Sequence, residues 1–187
     1  MQVAETSIPG LVLLTPKAHR DHRGFFVETW RDEWQPLVES AGAFVQDNHA
    51  MSVDKGVVRG LHFQAPPYAQ SKLIWVSRGA VYDVAVDIRK GSPTYGKWEG
   101  RLLSAENFLR FFIPRGFAHG YMTLEPDTEV NYKVDSYYNA PAEGGLFWND
   151  PALSIPWPDI APILSDKDKE LPLLQALESP FIYRNKQ

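Results

Sequence analysis

His62, inside the strand-like run Val58-Arg59-Gly60-Leu61-His62-Phe63-Gln64, is the group in this chain best suited to moving a proton near neutral pH, because imidazole titrates there. Side chains in a strand change sides at every residue, so Val58, Gly60, His62 and Gln64 share one face and Arg59, Leu61 and Phe63 the other. If the first face lines a cavity, His62 enters it and Arg59 turns away, unless Gly60 marks a bulge that re-aims one of them. A half-buried strand histidine with a hydrogen-bonded ring and no chemistry is the alternative. Other groups also carry two readings. Lys72 shares a face with Ile74 and Val76, and either snorkels from an edge or sits in a cavity and binds an oxyanion. Tyr132 faces inward with Val130 and Val134; a buried phenol usually bonds a carbonyl and stays structural. Asp168 stands three residues after Ser165 and ahead of the apolar run 171–177, a capping-box pattern in which its carboxylate caps a helix. Arg23 and Phe26 suit an anionic group and a flat ring, or equally a solvated turn feeding a core strand.

These residues must be held by strands. Residues 10–14 form a short apolar run ended by Thr15-Pro16, and Gly24 opens an aromatic strand that runs to Glu28. Residues 30–41 suggest a short helix interrupted or opened by Pro36, with Gly42 as its C-terminal cap. Residues 44–49 make a strand dense in polar side chains, Gln46, Asp47 and Asn48 among them, which face solvent or line a polar cavity. Residues 72–77 and 80–88 around Arg78-Gly79 read as a tight hairpin. Its second arm looks half-buried, Tyr82, Val84, Val86 and Ile88 on one face and Asp83 and Asp87 on the other. Further strands cover 97–103, 109–114, 117–124 and 128–135, a spacing that predicts an all-β antiparallel sandwich or barrel. The proline-rich run around Ile155-Pro156-Trp157-Pro158 wraps outside the sheet, and 171–177 is expected to be helical.

With 187 residues and no repeat or linker, one domain over 1–187 is expected. The absence of cysteine removes disulfides, zinc ribbons and thiol nucleophiles. A net charge of −4 argues against sequence-independent nucleic-acid binding, while a few arginines can still hold a small anion. Without a basic, apolar leader or a membrane-length segment, the expected class is a cytoplasmic enzyme or binding protein.

The motifs Arg59-Gly60-Leu61-His62-Phe63-Gln64, Val84-Ala85-Val86-Asp87-Ile88-Arg89, Ser104-Ala105-Glu106-Asn107, Ile113-Pro114-Arg115-Gly116-Phe117-Ala118-His119-Gly120, Trp148-Asn149-Asp150-Pro151 and Leu164-Ser165-Asp166-Lys167-Asp168 recur in order over nearly the whole chain. Together they resemble the dTDP-4-dehydrorhamnose 3,5-epimerase family. The resemblance implies a cupin-type antiparallel β-barrel (jelly roll) with a few short peripheral helices, working as a homodimer without cofactor or metal. It implies epimerisation of dTDP-4-dehydro-6-deoxy-D-glucose at C3 and C5, on the route to dTDP-L-rhamnose. By the same resemblance His62 is the base, Tyr132 the acid, Lys72 a cation near the oxyanion and Asp168 the group that orients His62. Arg23, Glu28, Gln46, Asp47, Asn48, Arg59, His119, Glu143 and Lys167 would contact substrate, with Phe26 and Tyr138 around the thymine. Phe63 and Trp75 depart from the residues more usual in the family.

Three rivals stand beside this reading. A metal-dependent cupin such as a dioxygenase would gather a His-x-His pair, where this chain has His62-x-Gln64. A non-catalytic nucleotide-sugar-binding cupin would have no need of His62, Tyr132 and Asp168 together. A single-site epimerase of another deoxysugar pathway would share the same acid and base.

Overall fold

The computed structural model describes residues 1–38 and 42–184. Its strands form two antiparallel sheets facing one another. One has six strands, in the order β1 (Gln2–Glu5), β2 (Val12–Thr15), β10 (Arg110–Ile113), β7 (Lys72–Arg78), β12 (Thr128–Val134) and β5 (Gln46–Ser52). The other has five: β13 (Glu143–Gly145), β6 (Val58–Gln64), β11 (Phe117–Thr123), β8 (Ala80–Asp87) and β9 (Trp98–Ser104). β3 (Ala18–Asp21) and β4 (Gly24–Val27) make a separate hairpin.

The core follows from alternation. Ile74, Val76, Phe111 and Val130 of the first sheet meet Val81, Ala85, Leu103, Phe117 and Tyr121 of the second. The alternate residues of the second sheet, among them Leu61, Phe63, Val84, Val86 and Ala118, are covered from outside by Leu153, Ile155 and Trp157. The proline-rich tail therefore lies where its missing N–H groups cost no ladder bonds.

Residues 72–88 are not a hairpin. β7 pairs with β10 and β12, and β8 pairs with β11 and β9, so the chain crosses from one sheet to the other at Gly79. Gly79 has φ +74°, and a Cβ there would collide with the Thr128 side chain, which explains a glycine signal that resembles a hairpin turn. β8 is also not half-buried: Asp83 and Asp87 point into the sandwich and are 0% exposed. Asp87 is paired with Arg89 and accepts hydrogen bonds from the Ser92 and Thr94 hydroxyls.

The expected helices shrink. Asp32–Leu37 is a 3₁₀ helix containing Pro36 and ends with Val38 as its C-cap; the rest of the expected helix, 39–41, lies outside the described residues. The Ser165 hydroxyl does cap a helix, α1 (Asp166–Lys169), but it is a single turn. Beyond it Pro172 intervenes, and the apolar run carries only a 3₁₀ turn, Leu174–Ala176. No helix among the described residues is long and apolar enough to cross a membrane.

Candidate active site

The site is built on an irregularity in β6. Opposite β6, Tyr121 pairs with Arg59 and His119 with His62, so Gly60 and Leu61 face the single residue Gly120. This is a β-bulge, and it cancels one step of alternation. Val58 packs outward with Met122 and Trp148, Leu61 and Phe63 pack outward under the tail, and both Arg59 and His62 face the cavity. Both glycines are required. A Cβ on Gly60 would lie 2.5 Å from the Gly120 Cα, and one on Gly120 would lie 2.6 Å from the Arg59 carbonyl oxygen. Gly60 also has φ +125°, which L side chains rarely adopt.

The cavity, of about 460 Å³, is lined by Arg59 and His62 of β6 and by His119 and Tyr121 of β11. From the opposite sheet come Ala50 of β5, Lys72 of β7 and Tyr132 of β12. Ser165, Lys167 and Asp168 close one side. His62 and Tyr132 thus reach one space from facing sheets. A larger groove of about 690 Å³, lined in part by Ile8, Arg89, Arg115 and Tyr183, holds none of the expected site residues. There the charges of Arg89 and Arg115 already rest on Asp87 and Asp135.

Asp168 reaches His62. Its Oδ1 lies 2.5 Å from His62 Nε2, while the helix cap is made by the Ser165 oxygen, which accepts from the Asp168 backbone N–H. Burial alone would raise the Asp168 carboxyl, yet the His62 ring, Ser165 and the Gly60 amide together hold it below the usual carboxylate range. With Nε2 committed to Asp168, the other nitrogen of His62 is left for substrate. Burial raises the Tyr132 hydroxyl against the nearby charge of Arg59, so it keeps its proton at neutral pH. Lys72, at the cavity end of β7, is pulled down to about 8 by burial, against Asp83 and Glu143, whose charges raise it.

The remaining expected contacts divide into groups. Gln46 and Asn48 lie on the barrel side of β5, where Asn48 pairs with Tyr132 and its buried amide nitrogen has no hydrogen-bond partner among the described residues. Asp47 lies on the other side, bonded to Lys133. Glu143 accepts from the Tyr138 hydroxyl and from Lys167 Nζ, an arrangement that ties Tyr138 and Lys167 together. Arg23, Phe26 and Glu28 do not line this cavity; they lie on or just after the β3–β4 hairpin, with Arg23 paired to Asp21 and Phe26 67% exposed. Gln64 is occupied structurally, binding the Tyr68 and Tyr137 carbonyls and the Asn139 N–H. Among the described residues no group of three or more His, Cys, Asp or Glu is placed to hold a metal ion.

Sequence reasoning missed Asp83, fully buried behind His119, and Tyr121 in the cavity wall. A pair of aspartates recurring every fourth residue on a strand whose other face is wholly apolar was the available signal for Asp83.

A model of the dTDP-4-dehydrorhamnose 3,5-epimerase family matches residues 5–176. The chain belongs to that family. Among its relatives is dTDP-4-dehydrorhamnose 3,5-epimerase of Salmonella typhimurium, 49% identical over 95% of this chain and 98% of the relative. The structure of a family enzyme from Bacillus anthracis, with TDP and PPi bound, superposes with a TM-score of 0.88 at 50% identity, covering 92% of this chain and 98% of that one. The dTDP-6-deoxy-D-glucose-3,5-epimerase of Legionella pneumophila, in complex with dTDP-4-keto-L-rhamnose, gives a TM-score of 0.93 at 41% identity over 100% and 99% of the two chains. The two-sheet sandwich is accordingly the cupin-type jelly roll that the motifs implied.

Proposed function

We propose that the cavity between β6 and β12 epimerises dTDP-4-dehydro-6-deoxy-D-glucose at C3 and C5 to dTDP-4-dehydro-L-rhamnose. The observation that carries the reading is the placement of a carboxylate-bound histidine and a protonated phenol on facing sheets of one cavity. C3 and C5 both flank the C4 ketone, so removal of either proton leaves an enolate whose charge lies on the C4 oxygen. His62 takes the proton, Asp168 stabilises the imidazolium that forms, and Lys72 offers its cation to the developing oxyanion. Tyr132 then returns a proton to the opposite face of the carbon, which inverts it. Arg59 holds the diphosphate, where a planar fork suits a phosphate better than a point charge. Asn48, with its unpartnered amide nitrogen beside Tyr132, has a donor available for the sugar.

The chain acts as one domain and as a homodimer. Arg23, Phe26 and Glu28 sit outside the cavity of their own chain, on a ribbon with exposed aromatic faces at Phe25 and Phe26. A second copy accounts for both facts if each hairpin reaches over the partner's cavity, placing an aromatic ring beside the nucleotide base. Mixing His62→Asn chains with Arg23→Ala chains should then restore turnover that neither has alone. No recovery from mixed dimers isolated through a different affinity tag on each chain would remove the hairpin from the partner's site.

Labelling tests the reaction directly. In deuterated water the protein should place deuterium at both C3 and C5 of dTDP-4-dehydro-6-deoxy-D-glucose and yield the L-configured sugar. Label at one carbon alone would make it a single-site epimerase, and label at neither would end the assignment for this substrate.

A further inference from the structure

Asp83 lies on the barrel side of β8, among the core residues Val81 and Ala85, and has no solvent exposure. Both of its oxygens lie within 3.0 Å of His119 Nε2. His119 stands beside His62 across the β11–β6 pair and lines the cavity with Lys72, whereas Asp83 is behind that wall. A carboxylate so deeply buried needs positive charge nearby. His119 supplies a hydrogen bond, but burial holds its ring below the ordinary histidine range and so towards the neutral form, even though Asp83 opposes the shift. The cation on this cavity wall is Lys72, which reaches the cavity from the opposite sheet and has no hydrogen bond or ion pair of its own among the described residues.

We propose that Asp83 is a positioning residue for the epimerase reaction: it orients His119 and supplies the fixed negative charge that keeps an ammonium at Lys72, where the C4 oxyanion forms. The inference deepens the function proposed above and rests on it for the identity of the oxyanion. Each contact has a distinct job. The hydrogen bond fixes a proton on His119 Nε2, which settles the tautomer that the ring presents to the cavity. The charge offsets the desolvation that pulls Lys72 down to about 8.

Other ionisable groups face the same space. They are Arg59 and His62 on β6, Tyr121 on β11, Tyr132 on β12, Lys167 and Asp168 at α1, and Glu143 on β13. Among the described residues Asp83 and Glu143 raise Lys72, so Glu143 continues to support it in part when Asp83 is neutralised. The sign is fixed: Lys72 loses its charge as pH rises through its own pKa, and removing a nearby anion brings that loss to lower pH.

Asp83→Asn tests the charge while keeping an oxygen that accepts from His119 Nε2. The alkaline limb of kcat/KM should move down by about one pH unit, giving roughly a tenfold loss on the alkaline side and little change on the acid side. A uniform loss with the parental limb intact would reduce Asp83 to a packing residue. Should the variant not fold, the unmodified protein still answers. The Asp83 carboxyl carbon, followed by NMR without substrate, should shift in step with the titration of Lys72 Nζ, and that step should vanish in Lys72→Met. A carboxyl signal indifferent to Lys72 would overturn the proposal. Because this titration needs no turnover, it stands or falls separately from the labelling experiment that tests the reaction.

Discussion

His62→Asn should lower kcat by about a thousandfold or more while leaving the protein folded, a loss of roughly 4 kcal/mol in transition-state stabilisation. The Gly60 amide and Ser165 still stand beside Asp168, so the buried carboxylate is not left alone; what disappears is the base. Asp168→Asn isolates the other half of the pair. The turn of α1 is capped by Ser165 through the Asp168 backbone N–H, which the substitution keeps, so the stability change from the cap should be about 1 kcal/mol or less. Turnover should fall by about a hundredfold or more, because a neutral amide neither stabilises the imidazolium nor enforces the productive tautomer. Equal rates for Asp168→Asn and the parent would return Asp168 to a purely structural role. A pH signature accompanies it. The folded-state pKa of Asp168 is depressed, so its contribution to stability is present above the unfolded carboxylate value and is lost as pH falls through the lowered one. Acid denaturation of Asp168→Asn should therefore lack that part of the pH dependence.

Tyr132→Phe should separate exchange from inversion. The ring keeps its packing between the core residues of the two sheets, with only the hydroxyl removed, so the melting temperature should move little. In deuterated water His62 still removes protons from the carbons beside the C4 ketone, and label still enters from the same face. Inversion, which needs a proton from the six-stranded wall, should fall by about a hundredfold or more, most visibly at C5. Burial holds the Tyr132 proton above its ordinary range, which makes the phenol a reserve of acid across neutral pH. Unchanged inversion in the variant would leave His62 in place and take Tyr132 out of the mechanism.

What could be read in the residues was local. Alternation on β12 put Tyr132 on the same side as Val130 and Val134, and the structure packs Val130 and Tyr132 against the core between the sheets and buries Val134. The extent of β6 was legible as well, because Val58–Gln64 is bounded on both sides by turn-forming residues. What failed was pairing. A glycine at 79 looks the same in sequence whether the chain doubles back or steps to another sheet, and only the distant partners β10, β11 and β12 decide which. The two aspartates of β8 misled for a related reason: a carboxylate reads as a mark of solvent until the cation that neutralises it is known. The direction of Arg59 depended on whether Gly60 was a bulge, and the deciding residue was Gly120, sixty positions later. The motifs carried the expectation of the site because family resemblance records such distant partnerships indirectly.

The strand order also has a consequence for synthesis. β7 pairs only with β10 and β12, β6 only with β11 and β13, and β5 only with β12, so each waits for a strand that leaves the ribosome later. Of the neighbouring strands, β1 with β2, β3 with β4 and β8 with β9 can pair as they emerge. A nascent chain that has reached β9 therefore carries β5, β6 and β7 unpaired and with open edges, a state prone to wrong association and in need of shelter. His62 gains Asp168 from 106 residues downstream, so their contact is among the last that translation makes available. High contact order of this kind slows folding, and the yield of this protein in a cell should rise with the supply of chaperones.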